Sequence, residues 1–83
     1  MKIIKRSGAE ADFDPRKIVT AVTKANESVV PSARMSAVQI RRIAEDVESA
    51  AQNINRSLSV EEIQDMVEDQ IMNQRAFDVA RRY

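Results

Sequence analysis

The sequence predicts an α+β fold that is mainly α: a small four-helix bundle capped by an N-terminal β-hairpin. Three observations predict it. Two short runs, residues 2–6 and 9–13, flank Ser7-Gly8, and Gly8 is the only glycine in the 83-residue chain. That pattern reads as a hairpin turn. Asp14-Pro15 then reads as a helix start, with Asp14 at the N-cap and Pro15 at the first helical position. Beyond it, apolar residues recur at three- and four-residue spacing in four successive segments.

In the second strand Ala9, Ala11 and Phe13 alternate with Glu10 and Asp12, the period of a half-buried strand. A two-stranded ribbon is marginal alone in water, so it must lie against the helices. Helix one is expected from about Pro15 to Asn26, with Ile18, Ala21, Val22 and Ala25 on one face. Residues 27–35 form a loop, because Pro31 disfavours a helix through it. Helix two is expected to start near Ser36 or Ala37. Its stripe is Ile40, Ile43, Ala44, Val47, Ala50, Ala51 and Ile54, and its alanines permit close helix approach. Helix three opens on Ser59-Val60-Glu61-Glu62, a capping box. Val60, Ile63, Met66, Val67 and Ile71 form its inner face, and an acidic outer face is solvated. Asn73-Gln74 breaks it. Helix four is expected from about Arg75, with Phe77, Ala80 and Tyr83 at three- to four-residue spacing. It reaches the last residue without glycine, proline or a polar tail. The chain, one domain over 1–83 (hairpin lid 1–13, bundle 14–83), is therefore expected to be a fragment of a longer protein.

Composition narrows the chemistry. Lys plus Arg and Asp plus Glu both total 13, so the formal net charge is zero. No general attraction to nucleic acid or an anionic membrane follows, and neither partner is expected. The chain has no cysteine and no histidine, which excludes disulfides, thiolate chemistry, imidazole catalysis and ordinary zinc sites. No catalytic residue and no metal ligand is expected. No apolar run approaches the length of a membrane span and no signal-peptide core is present, so a cytoplasmic location is expected. What stands out is a local gathering of cations, Lys5, Arg6 and Lys17, at one end of a hairpin-plus-helix unit. A tight turn lets backbone N–H groups approach an anion, adjacent cations add charge-assisted hydrogen bonds, and a helix start favours negative charge. On a regular strand Lys5 and Arg6 would point to opposite faces; only a local turn brings both to one ligand.

Lys5-Arg6-Ser7-Gly8, Phe13-Asp14, Lys17-Ile18 and Ala21-Val22 together resemble the signature of the ATP-cone family. The run Val60 to Glu68 is similar to that family's third helix, and Ala76 to Tyr83 resembles its fourth. Glu62-Ile63-Gln64 and Val67 to Met72 look most like the cone of anaerobic (class III) ribonucleoside-triphosphate reductases. The resemblance covers nearly the whole chain. It implies an allosteric domain that binds ATP or dATP, with Mg²⁺, and sets the overall activity of a ribonucleotide reductase. It implies as partners a catalytic reductase domain C-terminal to this fragment and a homo-oligomer. Carried over by position, Lys5 and Arg6 hold phosphates, Lys17 reaches ribose or phosphate, and Asp14 takes the adenine amino group. The Ile3 backbone lines the ribose side. Ile18, Ala21 and Val22 form an apolar floor, and Val60 with Gln64 the far wall.

The sequence departs from the family pattern at three places. Ser7 replaces the usual Asp of the turn, Ala11 stands where some members have Glu, and Gln64 where some have His. Each residue also has a structural reading: Asp14 as an N-cap, Ile18, Ala21, Val22 and Val60 as core, Gln64 as surface. Lys5, Arg6 and Lys17 are explained least well that way. The alternatives are the cone of a nucleotide-dependent transcriptional repressor, which a zinc ribbon would precede, and a helical interaction module without ligand.

Overall fold

The computed structural model describes residues 1–83. Strand β1 (Lys2–Ile4) pairs antiparallel with β2 (Glu10–Asp12), setting Ile3 opposite Ala11. The connection is tight: the Gly8 N–H donates to the Lys5 carbonyl at 2.9 Å and the Lys5 N–H to the Ala9 carbonyl at 2.8 Å. Gly8 takes φ +88°, a left-handed conformation in which a Cβ is strained. Across the ribbon Lys2 Nζ donates to Asp12 Oδ1 at 2.6 Å, both side chains exposed.

Four helices follow: α1 (Pro15–Glu27), α2 (Ala37–Gln52), α3 (Val60–Asn73) and α4 (Phe77–Arg82). They pack as a closed ring in which α1 touches α2 and α4, and α3 touches the same two. Ile43 and Val47 of α2, Val67 and Ile71 of α3, Val22 of α1 and Val79 of α4 are fully buried at its centre. The ribbon lies at one end of a body 38 × 24 × 17 Å. No helix is long and apolar enough to cross a membrane.

The helix starts follow local chemistry. Asp14 accepts from the Arg16 N–H at 3.0 Å. Ser36 and Ser59 each form a reciprocal box, with Gln39 and Glu62 respectively. At Ser36 the box is closed by Gln39, an amide that serves there as the acid does at Ser59.

Several details correct the sequence reading. A third strand, β3 (Leu58–Ser59), pairs parallel with β1, giving the order β2-β1-β3. Leu58 is thereby buried in the core. The α2 stripe stops at Ala51; Ala50 is exposed, and Ile54 is exposed because the helix has ended two residues earlier. Arg75 is not helical: it takes φ 62° just past the end of α3 and its guanidinium lies over the Phe77 ring. The register of α4 therefore differs. Val79 is its buried residue, with Ala76, Ala80 and Tyr83 packed beside it at helical spacing, while Phe77 is exposed. The loop 27–35 contains a short 3-10 turn, Pro31–Ala33, and buries Val29 and Met35. It is held by buried Asn26, whose side chain accepts from the Met35 N–H at 2.8 Å and donates to the Met35 carbonyl at 3.0 Å.

Candidate functional site

A cleft of about 330 Å³ opens between the inner face of the ribbon and the start of the bundle. Volumes of about 300–1,000 Å³ are usual for small-molecule sites, so this one is at the small end. Strand alternation explains its ribbon wall: Ile3, Lys5, Ala11 and Phe13 share one face of the hairpin and all line the cleft. Helix α1 supplies Lys17, Ile18 and Ala21, at three- and four-residue spacing, with Asp14 at its cap. Helix α3 supplies Val60, Ile63 and Gln64, and α4 closes the end with Tyr83.

Eight of the sequence-named residues thus meet in one place: Ile3, Lys5, Asp14, Lys17, Ile18, Ala21, Val60 and Gln64. Two do not line it. Val22 is fully buried beneath the floor, since it lies one position round the helix from Ala21 and faces the core. Arg6 turns away: its Nε donates to Glu61 Oε1 at 2.7 Å. The turn therefore separates Lys5 from Arg6 rather than bringing both to the cleft. Sequence reasoning did not assign Ala11, Phe13, Ile63 and Tyr83 to the site. The two-residue period that links Phe13 to Ala11 was a usable signal; nothing local marked Tyr83.

The electrostatics are uneven. Lys5 and Lys17 come from different elements, and neither forms an ion pair within the chain. Asp14 is already engaged. Oδ1 accepts from the Arg16 backbone N–H and from Arg16 Nε, and Oδ2 from Arg16 Nη2 at 3.1 Å. The Arg16 side chain, then its backbone N–H, holds the Asp14 carboxyl below the usual carboxylate range. A carboxylate offers about four lone-pair sites, so one acceptor position remains. Glu61 is also held below its usual range, first by its own backbone N–H and then by Arg6. Glu62 is lowered to about 2, first by the Arg56 side chain and then by the Ser59 N–H. The first two acids of the α3 face are thus paired with arginines from elsewhere in the chain, not merely solvated. Burial, and then Glu68, raises the pKa of the half-buried Tyr83 phenol.

An apolar floor with two free ammonium groups at its edge suits a ligand with a flat apolar part and an anionic tail. It offers no nucleophile–base pair, and no three acidic side chains converge as metal ligands. Comparison with known proteins places the chain in a family. The chain is 38% identical over 89 residues to the ribonucleoside-diphosphate reductase subunit alpha of Chlamydia pneumoniae, covering 98% of this chain and 8% of the relative. It is 29% identical over 91 residues to the protein of that name from Chlamydia trachomatis, covering 9% of it. It is 32% identical over 82 residues to the anaerobic ribonucleoside-triphosphate reductase of Haemophilus influenzae, covering 98% of this chain and 11% of the relative. The chain spans roughly a tenth of these relatives' length. The family model described as the ATP cone domain matches residues 1–83, and with the hairpin, the four helices and the cleft between them in place, the chain belongs to the ATP-cone family.

Proposed function

We propose that this domain binds ATP or dATP in the hairpin cleft and sets the overall activity of a ribonucleotide reductase to which it is joined. The observation that carries the reading is the convergence of Lys5 from the ribbon and Lys17 from α1 on one apolar-floored cleft. The adenosine lies on Ile18 and Ala21, with Val22 supporting that floor from below. Val60 and Gln64 form the opposite wall, and the Ile3 backbone borders the ribose. The remaining acceptor position of Asp14 takes the adenine amino group. Lys5 and Lys17 meet the phosphates, which extend from the mouth of so small a cleft. Mg²⁺ travels with the triphosphate, held by phosphates and water. The catalytic reductase body follows the cone, of the anaerobic triphosphate class in the finer reading, which rests on Glu62-Ile63-Gln64 and Val67 to Met72.

ATP and dATP differ by one hydroxyl. A neutral hydrogen bond contributes about 0.5–1.5 kcal/mol net, so affinity alone separates the two by about tenfold at most. Opposite regulatory outcomes therefore require each nucleotide to favour a different packing of the hairpin or of a contact with a second copy, with a coupling of about 1–3 kcal/mol.

Calorimetric titration with ATP and dATP tests the reading. Both nucleotides bind, and saturation at about a hundredfold over Kd stabilises the fold by about 2.7 kcal/mol. Lys5→Ala and Lys17→Ala each weaken triphosphate binding by about 1.5–3 kcal/mol, the range for hydrogen bonds to charged groups. Unchanged affinity in both variants rejects the clamp. No binding and no rise in melting midpoint with either nucleotide rejects the function and leaves the ligand-free interaction module.

A further inference from the structure

Arg6 and Glu61 sit immediately after two cleft-lining residues, Lys5 and Val60. The parallel pairing of β1 with β3 matches Ile3 to Leu58 and Ile4 to Ser59. Just beyond that pairing the chain turns at Arg6 on one side and enters α3 at Val60 on the other, and the Arg6 Nε donates to Glu61 Oε1 at 2.7 Å across the gap. The ion pair is therefore a strap at the rim of the cleft, tying the tip of the hairpin to the first turn of α3. Glu61 is stable there without Arg6, because an acid in the first turn of a helix interacts favourably with the exposed N–H groups. Its carboxylate offers the guanidinium a pair of anionic oxygen acceptors, as a phosphate also does. Arg6 is 78% exposed and Glu61 50%, so the pair is weak and open to exchange.

We propose that Glu61 is an internal competitor for Arg6, holding the guanidinium at the rim until the polyphosphate of a bound nucleotide takes it over and releases the hairpin tip from α3. The inference rests on the nucleotide reading above and adds its regulation. Arg6 then senses the phosphate tail, whereas Lys5 and Lys17 are available throughout. A ligand without phosphates leaves the strap closed.

A mutant cycle on the 83-residue chain tests this, with ATP and adenosine as probes and far-UV circular dichroism to confirm folding. Glu61→Gln, and Glu61→Ala as a second variant, tighten ATP binding about two- to fivefold, as expected for loss of an exposed ion pair, and leave adenosine binding unchanged. Arg6→Ala weakens ATP about tenfold, and in that background Glu61→Gln has no further effect. A gain that persists in the Arg6→Ala background reduces Glu61 to simple repulsion of phosphate and overturns the proposal. So does an unchanged or weakened ATP affinity in both Glu61 variants while the wild-type chain binds ATP. If the wild-type chain binds neither ATP nor dATP, the nucleotide reading itself fails, a result separate from either of these.

Discussion

The two ends of this molecule are held together differently. In the helical ring, Ile43, Val47, Val67 and Ile71 are almost inaccessible to water, and stability comes from close-packed apolar contact. Within the β1–β2 ribbon only Ile3, Ala11 and Phe13 are even half-buried, and beside the β1–β3 pairing its side-chain ties are exposed ion pairs, Lys2–Asp12 inside the ribbon and Arg6–Glu61 to α3. Exposed pairs contribute little to stability. The ring is thus a scaffold, and the ribbon is the less densely packed part, joined to it through the β1–β3 pairing and the contacts of Ile3 and Phe13 with the core. The cleft lies at the boundary, with a floor from the scaffold and a lid from the ribbon.

The comparison fails most visibly where the scaffold is cut. Ile43→Ala is expected to lower stability by about 2–5 kcal/mol, a large share of the roughly 5–15 kcal/mol that holds a domain of this kind. Urea unfolding read by helical circular dichroism measures it, and the hairpin must be lost with the helices because a ribbon this short has no independent stability. A smaller and more selective effect comes from Gly8→Ala. The added Cβ meets no atom within 4 Å, so the cost is the left-handed backbone alone, about 1–2 kcal/mol. Hydrogen exchange should then speed up at the Lys5 amide while amides in the middle of α2 keep their protection. Equal loss in both places would mean that ribbon and ring open as one unit.

The smallest effect is pH dependence at the joint between them. The Glu62 carboxyl is held at about 2 in the fold against a usual 4.5, by Arg56 first and the Ser59 N–H second. A folded value below the unfolded one adds stability that is complete above about pH 4.5 and lost as the pH falls toward 2. The melting midpoint of the wild-type chain should therefore fall more steeply across that window than that of Glu62→Gln. Parallel curves would show that Glu62 does not act through its charge.

Much of this architecture could be read from the chain alone, because its signals are local. Ser7-Gly8, Asp14-Pro15 and the Ser59 box each specify a turn or a helix start within four residues. The apolar stripes of α1, α2 and α3 recur with a helical period. The features that were missed depend on distant partners. β3 is only two residues long and carries no periodicity; it exists because Ile3 and Ile4 lie beside it. Asn26 looks like an ordinary helix-end residue until its side chain meets the Met35 backbone, nine positions away. The direction of Arg6 is set by Glu61, 55 residues later. A Lys-Arg pair in a turn does not by itself show which cation faces inward; Lys5 does so because it shares the face of Ile3, two residues earlier. In α4 both Phe77 and Val79 are apolar, and the left-handed Arg75 sets the rotation that buries Val79.

Ser59 is at once the last residue of β3 and the N-cap of α3. No loop separates sheet from helix, so there is no slack to absorb a displacement. Helix α3 has 14 residues, about 21 Å of rigid rod at 1.5 Å per residue. At its far end Gln74 to Ala76 turn the chain into α4. Strand, cap and helix are thus one continuous piece that links the pairing with β1 to the α3–α4 corner.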